Sequence, residues 1–138
     1  MRVESQQVGA VDVPDEQIIS FPEGLPGFRQ ARRFCLLAVK EGSRFELLQS
    51  VDKADLAFVV MDPRLADPDY PVDDLAASAQ RVGIEAGESL AVLSIVSVPP
   101  APALPSLNML APVVVGETSR VGVQVVLHGS KYNVRHPL

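Results

Sequence analysis

Tryptophan is absent from this chain, cysteine occurs once and histidine only twice. With a single thiol, Cys35, no internal disulfide forms, so a disulfide scaffold is excluded and a reducing compartment suits the chain. Phe34, Leu36 and Leu37 flank that thiol, which predicts a buried, inert side chain. His128 and His136 with Cys35 are too few and too scattered for a metal site. No G-x-S-x-G elbow is present, and Gly24-Leu25-Pro26-Gly27 lacks both the length and the lysine of a phosphate loop. Asp73 and Asp74 are adjacent carboxylates, but neighbouring helix positions do not face each other, so they do not form an acid–base pair. Nothing here predicts catalysis or a cofactor.

Long apolar runs are missing too. The opening residues M-R-V-E-S-Q-Q-V-G contain no apolar core of a signal peptide. Ser89 to Gly116 carries no charge, yet Pro99, Pro100, Pro102, Pro105 and Pro112 interrupt it. A spanning helix needs about 20 consecutive, mostly apolar residues. A soluble, cytoplasmic protein with no membrane contact is expected. Positive charge is also scarce: the net charge is −5 over 138 residues. The segment from Asp52 to Glu88 holds nine acids against Lys53, Arg64 and Arg81, which is −6, while the stretch after Glu117 carries +3 from Arg120, Lys131 and Arg135. An acidic run is ordinarily a solvated face; its functional reading is steering toward a basic partner. Its sign disfavours direct nucleic-acid binding. A self-repelling acidic surface also predicts a monomer.

What the chain does have is proline, glycine and short apolar runs. Twelve prolines and nine glycines punctuate it, and 47% of the residues are hydrophobic, enough for a core in one domain spanning residues 1–138. Arg33 to Val39, Phe45 to Val51, Leu56 to Asp62, Leu90 to Val98, Val113 to Val115 and Val121 to Leu127 read as strands. Leu90 to Val98 is nearly all apolar, which predicts cover on both faces. Gly122 marks a bulge or a close approach of backbone. One helix of about ten residues is expected after Pro71, with Asp73 or Asp74 as its N-cap, Leu75, Ala79 and Val82 on one face, and Gly83 past its end. Many strands and one short helix predict a mainly β fold, a small β-barrel-like or pseudo-barrel domain.

The densest motif is F-P-E-G-L-P-G-F, Phe21 to Phe28. Pro22 and Pro26 fix φ and remove donors, and Gly24 and Gly27 permit positive φ, so the segment is neither helix nor central strand. It predicts a rigid turn that presses Phe21, Leu25 and Phe28 into the core. Immediately after it, Phe28, Arg29, Arg32, Arg33 and Phe34 mix cations with aromatics as single-strand binders do, but three arginines are a weak signal, and Arg29 and Arg33, four apart, read first as a solvated patch.

Several blocks then fall in order: I-S-F-P-E-G-L-P-G-F at Ile19 to Phe28, F-E-L-L-Q-S at Phe45 to Ser50, L-A-F-V-V-M-D-P at Leu56 to Pro63, L-N-M-L-A-P-V-V-V at Leu107 to Val115, and Q-V-V-L at Gln124 to Leu127 with Y-N-V-R-H-P-L from Tyr132. Together they resemble the bacterial flagellar assembly factor FliW family over essentially the whole chain. The resemblance implies a mostly β pseudo-barrel and a non-enzymatic regulator. It also implies two alternative partners, flagellin and the RNA-binding translational repressor CsrA, whose capture relieves repression of flagellin translation. The chain departs from the family pattern at Met109, where leucine is usual, at Gly116, where Asn or Asp closes the block, and in its proline-rich stretch Pro99 to Pro105.

Gln49, Asp62, Asn108 and Gln124 are polar residues in apolar surroundings and are expected to make structural hydrogen bonds. The expected partner-facing set is Asp67, Asp69, Asp73 and Asp74 with Tyr70 as an aromatic anchor, because negative charge complements an RNA-binding partner and tyrosine is favoured at hot spots. Two other classes remain open from sequence: a small-molecule-binding barrel or enzyme with its site in the barrel mouth, and a direct RNA-binding module.

Overall fold

Apolar runs of five to eight residues with period-two alternation make strands, and here nearly all of them pair antiparallel. The computed structural model describes residues 1–138. Its strands are β1 (Arg2–Ser5), β2 (Gly9–Asp12), β3 (Ile19–Ser20), β4 (Arg33–Ala38), β5 (Glu46–Ser50), β6 (Ala57–Met61), β7 (Leu90–Ser97), β8 (Ser106–Leu107), β9 (Val113–Gly116), β10 (Gly122–Gln124) and β11 (His136–Pro137). The one α-helix is α1 (Ala76–Gln80). The main sheet runs in the order β10-β9-β7-β6-β5-β4-β3, with β8 on the end of β7 and β11 on β8. The hairpin β1–β2 forms a sheet of its own.

The sheet curls until its ends meet. The Ser20 N–H on β3 donates to the Arg120 carbonyl at 2.9 Å, and Ser20 and Val121 form a lone parallel bridge beside β10. The structure is therefore a pseudo-barrel, closed by one bridge instead of a full ladder. Gly122, just after the bridge, is pressed against the Phe21 ring: a Cβ there would lie 2.5 Å from the ring carbon Cζ. The close approach of backbone expected at Gly122 is what lets the two ends of the sheet come together.

Alternation sorts the side chains into layers. Phe34 of β4, Leu48 of β5, Val60 of β6, Leu93 of β7, and Val113 and Val115 of β9 gather with Ile19, Phe21 and Leu25 on the inside of the curl. The intervening residues point outward. Cys35, Leu37 and Leu47 meet Val3 and Val13 beneath the hairpin β1–β2. Val92, Val96, Val114 and Val123 meet Leu75, Ala79 and Ile84 beneath the helical segment. Both faces of β7 and β9 are thus covered, which accounts for their nearly unbroken apolar sequence. Phe21, Phe34, Ile19 and Leu48 are completely buried. Burial of each such side chain contributes about 1.5–3 kcal/mol, against about 0–1 for an exposed ion pair, so the layers and not the surface charges hold the fold.

The helical segment differs from expectation. A 3-10 turn, Val72–Leu75, runs directly into α1, which has only five residues. Asp73 and Asp74 lie inside the 3-10 turn, and no side chain caps either element. Pro71 occupies the capping position and has no side-chain oxygen to offer. The two carboxylates still sit at the positive end of the segment, where its backbone dipoles favour them. Gly83 follows with φ +101°.

Candidate functional site

The acidic face is built on the loop between β6 and α1. Asp62 follows β6 and caps the 3-10 turn Pro63–Leu65, accepting the Arg64 N–H at 2.9 Å and pairing with the Arg64 guanidinium at 2.7 Å. Asp62 therefore has a structural role, and burial opposed by its bonds to Arg64 leaves its carboxyl below the usual range. Asp67 is committed as well: its Oδ1 accepts the Asp69 N–H at 3.0 Å and its Oδ2 accepts the Tyr132 hydroxyl at 2.6 Å. The Tyr132 hydroxyl first, then that backbone N–H and the nearby Lys131 and His136, hold the Asp67 carboxyl low. Asp69, Asp73 and Asp74 are exposed, and neither they nor Asp67 enters any ion pair. These three are the free charge of the face. Asp74 also lines an open cleft of about 390 Å³ with Pro71, Ser78, Val126 and His128, between the helical segment and the chain leaving β10.

Tyr70 is not the exposed anchor expected of it. It is 5% exposed, its ring meets Tyr132 edge-on at 4.8 Å, and its hydroxyl donates to the Met109 carbonyl at 2.5 Å. Burial pushes its hydroxyl well above the ordinary tyrosine range. The side chain is a core strut tying the acidic loop to the segment after β8. The half-buried aromatic next to the acids is Tyr132, which the sequence marks only as part of a family block.

The turn Phe21 to Phe28 is rigid for the reasons its composition suggests. Gly24 has φ +64°, and a Cβ on it would lie 2.5 Å from the Arg29 carbonyl oxygen. Leu25 and Phe28 bridge each other, with the Phe28 N–H on the Leu25 carbonyl at 2.7 Å. Phe21 and Leu25 are buried, but Phe28 is 43% exposed. Gly27, at φ +83°, turns the chain outward, so Phe28 lies on the surface with its ring edge-on to Phe58 at 5.6 Å. Pro22 and Pro26 are exposed. Of the basic and aromatic cluster that follows, Phe34 is completely buried and Arg33 is paired with Asp52.

The remaining polar residues act within the fold. Gln49 is completely buried on β5, and its Nε2 donates toward the carbonyls of Ser50, Lys53, Ala54 and Leu56 at 3.0–3.4 Å. It clamps the β5–β6 turn from within. Asn108 Oδ1 accepts the Ala111 N–H at 3.0 Å, and Gln124 Nε2 donates to the Ala111 carbonyl at 2.9 Å, so both hold the entry to β9. Glu88 does for another turn what Gln49 does for this one: its carboxylate accepts the N–H groups of Glu85, Thr118 and Ser119 at 2.8–3.1 Å. Those bonds, the Ser119 N–H foremost, keep its carboxyl low. No cluster of His, Cys, Asp and Glu could hold a metal ion, and no helix is long and apolar enough to cross a membrane. Ten buried apolar side chains fill the inside of the curl.

Comparison with known proteins agrees over the full length. The family described as FliW protein matches residues 2–138. The flagellar assembly factor FliW of Natranaerobius thermophilus is 34% identical over 139 residues, covering 100% of this chain and 92% of the relative. That of Heliobacterium modesticaldum is 36% identical over 138 residues, covering 100% and 90%. That of Bacillus subtilis is 33% identical over 138 residues, covering 100% and 96%. A crystal structure of the flagellar assembly factor FliW superposes with a TM-score of 0.88 at 28% identity, covering 99% of this chain and 96% of the other.

Proposed function

The chain belongs to the FliW family, and from that premise we propose that it is a non-enzymatic regulator of flagellar assembly with two alternative protein partners, flagellin and the translational repressor CsrA. Whole-length membership of the family is the observation that carries this reading. Capture of CsrA relieves repression of flagellin translation; capture of flagellin leaves CsrA free. The encounter with CsrA uses the acidic face. Asp69, Asp73 and Asp74 support it because they are exposed and unpaired. A repressor that binds RNA carries basic surface to meet them, and opposed charge raises association rates. The cleft beside Asp74 adds concave, partly apolar area through Val126, which charge alone does not supply.

A competition experiment tests the reading. The purified protein is loaded with CsrA, flagellin is titrated in, and release of CsrA is followed by anisotropy. Release in proportion to added flagellin is expected. A stable ternary complex, or no binding of either partner, overturns it. A standard interface takes about 800 Å² from each partner, so two footprints fit on a surface of 7959 Å² without overlap. Exclusion therefore needs shared residues or a shape change that couples two sites.

A further inference from the structure

The molecule has a second candidate docking surface, of opposite character to the acidic face. It is a cleft of about 320 Å³ between the end of the F-P-E-G-L-P-G-F turn and the β5–β6 turn. One wall is Phe28, Arg29 and Gln30; the other is Ser50, Lys53 and Leu56, with Asp52 at the rim. Three features make it more than a gap between loops.

First, both walls are fixed. Gly24 and the Leu25–Phe28 bridge set one, and the buried Gln49 amide, whose two N–H groups are ringed by four carbonyls, sets the other. Ser50 Oγ adds to the second wall by accepting the N–H groups of Asp52 and Lys53 at 3.3 and 3.1 Å. A cleft with rigid walls costs little ordering on binding.

Second, the cleft offers an apolar contact. Phe28 is 43% exposed, an unusual position for one of the five phenylalanines of a chain with so few aromatics. Its ring, backed by Phe58, stands beside the half-buried Leu56.

Third, the free charge at the cleft is positive. Asp52, its one carboxylate, is taken by Arg33. Glu23, which draws on Arg29 from the far side, is paired with Arg81 at 3.0 Å. Arg29 and Lys53 form no ion pair. The backbone N–H groups of Gly27, Arg29 and Gln30 have no partner within the chain. Cations and unpaired donors around an apolar ring match carboxylates set beside an apolar side chain.

We propose that this cleft docks an acidic peptide segment of a partner protein, with an apolar side chain against Phe28 and Leu56 and a neighbouring carboxylate on Arg29 and Lys53. The proposal is independent of the assignment of CsrA to the acidic face. A single-stranded nucleic acid fits less well, because only one aromatic is exposed here and Asp52 stands at the rim.

The probe is the acetylated, amidated hexapeptide Glu-Glu-Phe-Leu-Glu-Glu, titrated to about 1 mM against the ¹⁵N-labelled protein, with Lys-Lys-Phe-Leu-Lys-Lys and hexauridylate as parallel arms. The expected result is saturable amide shifts at Gly27, Phe28, Arg29, Gln30, Lys53 and Leu56 with the acidic peptide alone. The double variant R29E/K53E, which changes only exposed side chains, should weaken that binding about tenfold or more. Phe28→Ser should weaken it while leaving salt dependence unchanged. The proposal is overturned by no shift up to that concentration, by equal binding of the lysine peptide, or by binding of the acidic peptide that R29E/K53E leaves intact. It is also overturned if hexauridylate alone shifts these amides, or if they shift with protein concentration in the absence of peptide, which would mean the occupant is a second copy of this chain.

Discussion

The Tyr132 hydroxyl donates to the Asp67 carboxylate at 2.6 Å, joining two positions 65 residues apart. This bond ties the C-terminal segment to the acidic loop. It also divides the acids: Asp67 is part of the fold, whereas Asp69, Asp73 and Asp74 stay exposed and unpaired.

The titration of Tyr132 should report this bond. Donation to Asp67, then burial, raises its hydroxyl from the ordinary tyrosine value to about 12. A group whose folded value lies above its unfolded one stabilises fully below the unfolded value, and that contribution disappears as pH rises through the folded value. Stability should therefore fall between about pH 10 and pH 12. Ultraviolet difference titration should show one tyrosine near 12, returning toward the ordinary value in Asp67→Asn. A Tyr132 that titrates normally in the native protein would show that the bond does not persist in solution.

Charge reversal should separate the two kinds of acid. The triple change of Asp69, Asp73 and Asp74 to lysine should lower the melting temperature only modestly, since none of these side chains bonds within the chain and Asp73 and Asp74 lose only a favourable place at the segment's positive end, about 0.3–1 kcal/mol each. It should slow association with CsrA about tenfold or more at low salt, with the difference shrinking as salt rises. Asp67→Lys should lower the melting temperature, because it removes the acceptor for Tyr132. Stopped-flow rates over a salt series and thermal melts measure the two effects; a salt-independent rate change would point away from steering.

Gly122→Ala tests the closure of the pseudo-barrel. The added methyl group enters the Phe21 ring, and overpacking of a filled core costs about 1–3 kcal/mol. Phe21→Leu should also destabilise on its own, yet restore part of the loss in the Gly122→Ala background. Urea unfolding of the four proteins gives the coupling energy, and strict additivity would disprove the clash.

Gln49→Leu should cost about 1–3 kcal/mol, because it keeps the volume but leaves inward carbonyls of the β5–β6 turn without their donor. Amide exchange at Leu56 should accelerate before that of β4 or β7. An unchanged unfolding midpoint would mean that water replaces the side chain at no cost.

Much of the fold was legible from sequence because its strands are long enough to show a period. Arg33 to Val39 and Leu90 to Val98 became β4 and β7 with ends shifted by a residue. The two-residue strands β3, β8 and β11 carry no period at all, and the hairpin β1–β2 is largely exposed, with only Val3 and Ser5 buried. The expected helix divides into the 3-10 turn Val72–Leu75 and the five-residue α1, a distinction that apolar spacing over so short a segment does not carry. The candidate site was less legible, and two aromatics exchanged the roles expected of them. Phe28 looks like core by residue type, but the backbone turn at Gly27 carries it out. Tyr70 looks like a surface anchor among acids, but its hydroxyl finds a carbonyl 39 residues away. Local composition fixes what a residue could do; a contact across the fold decides what it does. The polar residues Gln49, Asn108 and Gln124 lie between these cases. That each needs a partner is readable from its apolar neighbours, while the identity of that partner is not.

The meeting of Gly122 with Phe21 has a consequence for how this chain can vary. The diameter of the curled sheet at that point is set by one ring resting on bare backbone. A side chain gained at position 122 meets that ring, and a smaller residue at position 21 relieves the strain. The two sites are 101 residues apart in the chain, yet the room for one is set by the other, so the most recognisable motif of the protein rests on a residue that no local pattern surrounds.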